Sequence, residues 1–485
     1  MKKIYLILFL ALFAYKAQAQ FTLSGQLRTR TELRDGFGNL PNKGASPAFF
    51  TSQRARLNVG YSLDKIKFFT TIQDVRIWGQ DASTISNADG NKLMLHEMWA
   101  EIALANAADS TAAFKGLDYL GLKIGRQEIS YDDQRLLGNL DWLQQARRHD
   151  AAILKLMHKG IQLDVGVAYN QNAETKEGRI YVPSNVHAGT STGQIPITGP
   201  VNPAGTNGIG QMYKSFQYVY LSKKVGAFKL SGLFFKDDFQ KSTVTPTGRV
   251  FTKGLNSRLT TGFNAALLPS PTNKLMLNIS AYQQGHQDKE GNPLDAYFAS
   301  IYSIYSFGAF SAGPGFDFYS GNNGEQTTRV NHRFDPLYGT PHKFSGLMDY
   351  FYAADGHGPA GLKDFYVKSR YIKGNFSTNV DLHQFLSGNQ IAYRENNADV
   401  LTRYQSNLGT EVDVISTFTY GKYITFEAGY AHLFGTNSLN RIKTSGFPAA
   451  NNTFLPKQRQ ANWAYLMINI KPEFLATKAT PQPKS

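Results

Sequence analysis

The chain has 485 residues, 42% of them hydrophobic and 13% aromatic, with no cysteine and a formal net charge of +15. Without cysteine, neither a disulfide framework nor a thiolate metal site can form. The basic balance favours acidic partners such as lipid headgroups, anionic glycans or small anions, and no nucleic-acid-binding motif or Lys/Arg-rich tract points to DNA or RNA.

The chain begins with Lys2 and Lys3, an apolar run from Ile4 to Tyr15, and Ala17-Gln18-Ala19. Basic, then apolar, then A-x-A is the order of a secretory signal peptide, so cleavage is expected after Ala19. The apolar run is shorter than the ~20 residues of a spanning helix, and no later run approaches that length. Residues 20–474 carry one texture with no dividing linker, which favours a single large architecture over several domains.

That texture is alternation. In FTLSGQLRTRTELR (Phe21 to Arg34), Phe21, Leu23, Leu27 and Leu33 share one parity; Arg28, Arg30, Glu32 and Arg34 share the other. Successive strand side chains point to opposite faces, so one face is apolar and the other polar or charged. The pattern recurs in IQLDVGVAYN (161–170), LTTGFNAALL (259–268), KLMLNISAYQ (274–283), DFYVKSRY (364–371) and FSTNVDLHQF (376–385). About 18 such segments are longer than the ~5–6 residues of soluble strands and match tilted membrane strands.

The connections decide the architecture. Short ones at 62–65, 158–160, 225–226, 269–273, 373–375 and 421–423 are expected to alternate with longer ones, the longest at 172–211 and 321–361. The connection at 105–116 is long where a short turn is expected. Short periplasmic turns, long extracellular loops and an even strand number describe an all-β transmembrane antiparallel barrel. Closure removes the exposed edges that so many long strands would otherwise present. Tyr218, Tyr220, Phe234, Phe235, Tyr302, Tyr305, Phe316 and Phe318, near strand ends, are expected to supply aromatic girdles.

One stretch breaks the alternation. GRQEISYDDQRLLGNLDWLQQARRHDAAILK (125–155) holds four arginines, five carboxylates and one tryptophan. Buried charge is costly unless paired, so this segment reads as a loop facing water or the lumen. GRQEISYDDQRLLGNLDW followed by RRHDA resembles the most specific signature of the alginate-export family of outer-membrane porins. FDPLYGTPHKFSGLMDYF (334–351) resembles a second, and LHEMWAEI (95–102), GTEVDV (409–414) and WAYLMINIKPEF (463–474) are weaker echoes. The likeness runs over residues 22–474. It implies an 18-stranded monomeric barrel with an arginine-rich lumen and gating loops that passes an acidic polysaccharide across the bacterial outer membrane, among its lipid and lipopolysaccharide. Gly125, Arg126, Gln127, Asp141, Trp142, Asp150, His342 and Asp349 are the signature residues. The chain departs from the pattern at its end, continuing past Phe474 as the polar tail LATKATPQPKS (475–485).

Parity places Arg28, Arg30, Arg34, Arg54, Arg56, Arg258, Lys368 and Arg370 on the lumen face. Arginine forks take carboxylates bidentately and keep their charge, and Arg/Lys rings select anions in pores. Glu32, Glu97, Glu101, Asp164, Asp364, Asp381, Glu411 and Asp413 also share inward parity. These cations therefore either contact an anionic solute or form salt bridges that hold the wall open. Arg126 and Asp150 read as structural partners, and Trp142 as a sugar-stacking or loop-packing residue. His342 and Asp349 lack an accompanying nucleophile. SNADGN (86–91) places His96 where a calcium loop needs its bidentate Glu, and HEMWA lacks the second His of a zincin. The expectation is an anion-passing channel without cofactor. A barrel enzyme with a rim site and an adhesive barrel with a closed lumen are the alternatives.

Overall fold

The computed structural model describes residues 20–79, 93–107, 114, 116–171, 174, 176, 178, 180–182, 194–195, 213–245, 248–326, 329–351, 357–394, 401–444 and 458–477. The expected signal peptide, 1–19, lies outside the described residues, as do SNADGN, most of 172–211 and the end of the tail.

Eighteen long strands form one closed antiparallel barrel: β1 (Gln20–Asp35), β2 (Ala48–Leu63), β3 (Ile66–Ile77), β4 (Met94–Asn106), β5 (Tyr119–Gln127), β6 (His149–His158), β7 (Ile161–Tyr169), β8 (Ser215–Val225), β9 (Phe228–Thr245), β10 (Gly248–Leu267), β11 (Leu275–Gln287), β12 (Pro293–Phe307), β13 (Phe310–Tyr319), β14 (Leu362–Lys373), β15 (Phe376–Ser387), β16 (Asn407–Tyr420), β17 (Ile424–Gly435) and β18 (Gln460–Ile470). Each pairs with its sequence neighbour, and β1 closes on β18 from Leu27↔Ile470 to Asp35↔Asn462. Among the described residues, α1 (Asn437–Thr444) is the one α-helix.

Alternation sets which way each strand faces. Val165, Val219, Ile301, Val367 and Leu466 point outward and are 38–66% exposed, and many other outward aliphatic residues of the wall, such as Leu154, Leu221, Leu230 and Leu382, are exposed with them. Such a continuous apolar exterior would drive a soluble protein to aggregate; around a closed barrel it is the surface that hydrocarbon covers. Near the short turns, Phe228, Tyr305, Phe307, Phe310, Phe376, Tyr420 and Phe426 project from this exterior as an aromatic belt. The expected girdle residues Phe234 and Tyr305 are exposed. Tyr218, Tyr220, Phe235 and Tyr302 instead have lumen parity, the first three almost fully buried. Their aromatic character serves interior packing.

The short turns lie where the sequence places them, and Lys159-Gly160, both at positive φ, joins β6 to β7 in the manner that the right-handed strand twist favours. The long connection after β4 covers 107–118. The alternation of short with long connections fails twice at the opposite end. Strands β9 and β10 continue as a hairpin until Thr245 pairs with Gly248, and β11 to β12 is joined by 288–292. Asp288 Oδ1 accepts the amides of Glu290 and Asn292 and tightens that turn.

Inside the wall, inward tyrosines cover inward glycines of the neighbouring strand. Tyr218 faces Gly166, Tyr282 faces Gly262, Tyr366 faces Gly315 and Tyr465 faces Gly429 in register. A Cβ on Gly429 would lie 1.9 Å from the Tyr465 ring, so only glycine lets the ring lie against the backbone.

After β18 the chain bends at Lys471-Pro472, and Glu473–Ala476 pairs with the start of β1. Pairing thus continues two residues past the boundary expected at Phe474.

The apolar core lies within the barrel. It joins inward wall residues such as Phe216, Phe235, Phe385 and Trp463 to Leu136, Leu137, Phe334, Leu337, Tyr338, Met348 and Phe351 of two connections, 128–148 and 320–361. The described residues of both fold into the lumen.

Candidate functional site: an arginine cluster beneath two inward loops

The 128–148 loop is tied to the wall by its own charges. Asp132 accepts Tyr220 Oη and Lys229 Nζ at 2.8 Å each, and Ser231 Oγ at 2.8 Å. Tyr131 Oη donates to Asp164 at 2.7 Å. Arg135, fully buried, reaches Asp317 at 2.7 Å and Tyr319 Oη at 2.9 Å. Alternation predicts an inward Asp317; nothing in the loop sequence marks Arg135 as its partner.

The 320–361 loop is anchored the same way. Asp335 pairs with Arg258 at 2.7 Å, and its backbone exchanges hydrogen bonds with Gln284. Tyr338 Oη donates to Asp237 at 2.8 Å, and the Met348 and Leu347 amides donate to Glu411 and Asp413. The loops also pair with each other. Gly138 N donates to Tyr338 O, Tyr338 N to Leu136 O, and Thr340 N to Gln134 O, at 2.8–3.0 Å. Gly339 permits this approach, because a Cβ there would lie 1.9 Å from Arg135 O.

Beneath the first loop stand the arginines of β1 and β2. Arg28 and Arg54 are register partners, and Arg56 lies two residues farther along β2. All three converge on the Asp141 carboxylate: Arg54 Nη2 at 2.9 Å, Arg28 Nη1 at 3.2 Å and Arg56 Nη1 at 3.5 Å. Partial burial opposes ionisation of Asp141, but the charges of Arg54, Arg28 and Arg56 outweigh it and hold the carboxyl below its usual range. Further arginine donors go to loop oxygens. Arg28 reaches Gln144 Oε1, Trp142 O and Leu143 O; Arg30 reaches Trp142 O; Arg54 reaches Asp141 O and Gln144 O. Arg30 also lies over the Trp142 ring at 3.9 Å.

The remaining lumen cations divide. Arg30 and Arg34 share Glu32, which also accepts Trp463 Nε1. Arg258 is held by Asp237 and Asp335, and Lys368 by Asp381. Arg370 is exposed and forms no ion pair among the described residues. Seven of the eight are therefore committed to carboxylates of the wall or of the loops. Parity identifies the inward face and is silent on what occupies it.

The signature residues frame the first loop. Gly125 has φ +126, and a Cβ there would lie 2.3 Å from Met98 O. Arg126 and Asp150 form a two-point ion pair across β5 and β6 at 2.8 and 2.9 Å. Gln127, fully buried, donates to Ala151 O. Trp142 stacks on His342 at 4.1 Å and meets Trp463 edge-on, so it packs between the loops and the wall.

His342 Nδ1 bonds Asp349 Oδ1 at 2.8 Å. Ser345, three residues on, has a buried Oγ without a hydrogen-bond partner among the described residues, so it is not joined to that pair in a Ser–His–Asp relay. His96, Glu97 and Glu128 bring three possible metal-ligand atoms within 4.8 Å of one another, and a bulge at His96 turns neighbouring residues toward one side. They also bond among themselves: His96 Nε2 with Glu128, and the Glu128 amide with Glu97.

Comparison with known proteins agrees with this architecture. A family model described as alginate export matches residues 19–169, which include the first sequence signature. No curated protein matches the chain. Pseudomonas aeruginosa OpdO is similar in structure, with a TM-score of 0.55 and 11% identity over 94% of this chain and 98% of that one. Acinetobacter baumannii OccAB1 has a TM-score of 0.55 and 10% identity over 95% and 98% of the two chains. The outer membrane protein OpdK of Pseudomonas aeruginosa has a TM-score of 0.53 and 9% identity over 94% and 99%. The chain folds as an outer-membrane porin-like barrel.

Proposed function

We propose that the protein is an outer-membrane channel for anionic solutes, acidic saccharides above all, acting as a monomer without a cofactor. The observation that carries this reading is the convergence of Arg28, Arg54 and Arg56 on one carboxylate inside the lumen. A site that holds the carboxylate of Asp141 offers the same guanidinium forks to a uronate. A row of such contacts, each exchangeable, lets a polyanion pass without being trapped.

The test is conductance of the refolded protein in a planar bilayer, with reversal potential recorded in a salt gradient before and after oligouronate is added. Anion selectivity with reversible uronate block, both reduced in Arg56→Ala, is expected. An open pore with neither property refutes the anionic-solute reading. A second reading is supported by the packing of both loops within the lumen: a barrel that stays closed and presents its long loops as a binding surface. No conductance from a folded barrel would favour it.

A further inference from the structure

We infer that Asp141–Gln144 is an internal ligand of the lumen arginines, a built-in competitor that a solute carboxylate must displace. This inference rests on the anionic-solute reading above and adds how its site is regulated.

The segment presents to the wall what an acidic sugar would present. One carboxylate, that of Asp141, takes three guanidiniums, and the carbonyl oxygens of Asp141, Trp142, Leu143 and Gln144, with the Gln144 side chain, take further donors. A uronate likewise offers one carboxylate surrounded by neutral oxygen acceptors. The fit is incomplete: three guanidiniums bond one carboxylate here, and among the described residues Arg54 Nε and Arg56 Nη2 are buried without a hydrogen-bond partner. Buried donors left unmatched are costly, so a ligand with more acceptors competes well.

Access and strain point the same way. The Arg28, Arg54 and Arg56 side chains are 0–11% exposed, whereas that of Asp141 is 42% exposed. An incoming carboxylate therefore meets the exchangeable partner at the solvent side of the cluster. Leu140 and Ala146, which bracket the segment, both adopt left-handed backbone at φ +51 and +52. Side chains with a Cβ rarely adopt that conformation. The arginines hold the segment in a strained form that relaxes once it is released.

The experiment compares wild-type protein with Asp141→Asn in planar bilayers, using galacturonate as probe and galactose as the uncharged control. Galacturonate is expected to block Asp141→Asn at about one-tenth of the concentration needed for wild type, and galactose to block neither. In parallel, hydrogen exchange of amides 139–146 in wild type is expected to quicken when galacturonate, but not galactose, is added. Equal blocking concentrations in the two proteins, or block of wild type without faster exchange, overturns the internal-ligand inference while leaving the anion channel standing. Absence of galacturonate block in both overturns the anionic-solute reading itself. The exchange measurement needs no substitution, so it decides the matter even if the variant folds poorly.

Discussion

Arg54 is fully buried and touches the loop carboxylate of Asp141, which also serves Arg28 and Arg56. Its removal leaves Asp141 two partners, so the loss resembles one charged hydrogen bond rather than an orphaned ion. Arg54→Ala is expected to weaken docking of the 128–148 loop by about 1.5–3 kcal/mol, seen as faster amide exchange at 139–146 with the barrel still folded. His357 behaves oppositely to an ion pair. It is stacked 4.0 Å from Tyr319, its Nδ1 lacks a partner among the described residues, and burial pushes its pKa down to about 3. The docked loop therefore holds it neutral, whereas a released loop lets it protonate near 6.5. Its contribution is complete above pH 6.5 and is lost as pH falls from there toward 3, by an amount on the order of 5 kcal/mol. Exchange of amides 357–361 should quicken across that window, and His357→Phe should flatten the dependence.

At the scale of elements, two glycine contacts test two different assemblies. Gly429 lets the Tyr465 ring lie flat across β17 and β18, and a methyl there collides with the ring. Gly429→Ala is expected to destabilise the barrel by about 1–3 kcal/mol, read as a lower temperature for the heat-dependent gel-mobility shift. Gly339→Ala drives a methyl into the Arg135 backbone and separates the two inward loops. The wall makes none of these contacts, so barrel melting should stay unchanged while open-channel events become more frequent. Much of this level is hidden in the sequence. Strand parity places Asp237, Asp317, Glu411 and Asp413 inward, but the loop groups they hold, from Tyr338, Arg135 and the amides of Leu347 and Met348, lie many tens of residues away in segments without periodicity. The sharing of Asp141 by three wall arginines is equally invisible, because residues 28, 54, 56 and 141 meet only once the strands pair and the loop turns inward.

At the scale of the whole molecule, the apolar exterior makes a prediction that a soluble barrel would not meet. Val165 faces outward at mid-strand opposite Val219 and is 40% exposed. Val165→Arg should cost about 2–4 kcal/mol in lipid refolding titrations; on a water-facing wall it would be nearly neutral. The sequence by itself determined the strands, the inward and outward faces and the short turns, because period-two alternation and turn residues act between near neighbours. It also indicated closure, since eighteen long strands need partners on both edges. Only the tertiary structure decided what fills the barrel. Whether an inward arginine meets a solute, a wall carboxylate or a loop depends on contacts across the lumen, which no local period encodes. The same limit hid the extension of β9 and β10 into a long hairpin, and it placed Tyr218, Tyr220 and Phe235 inside although their residue types suit a membrane girdle equally well.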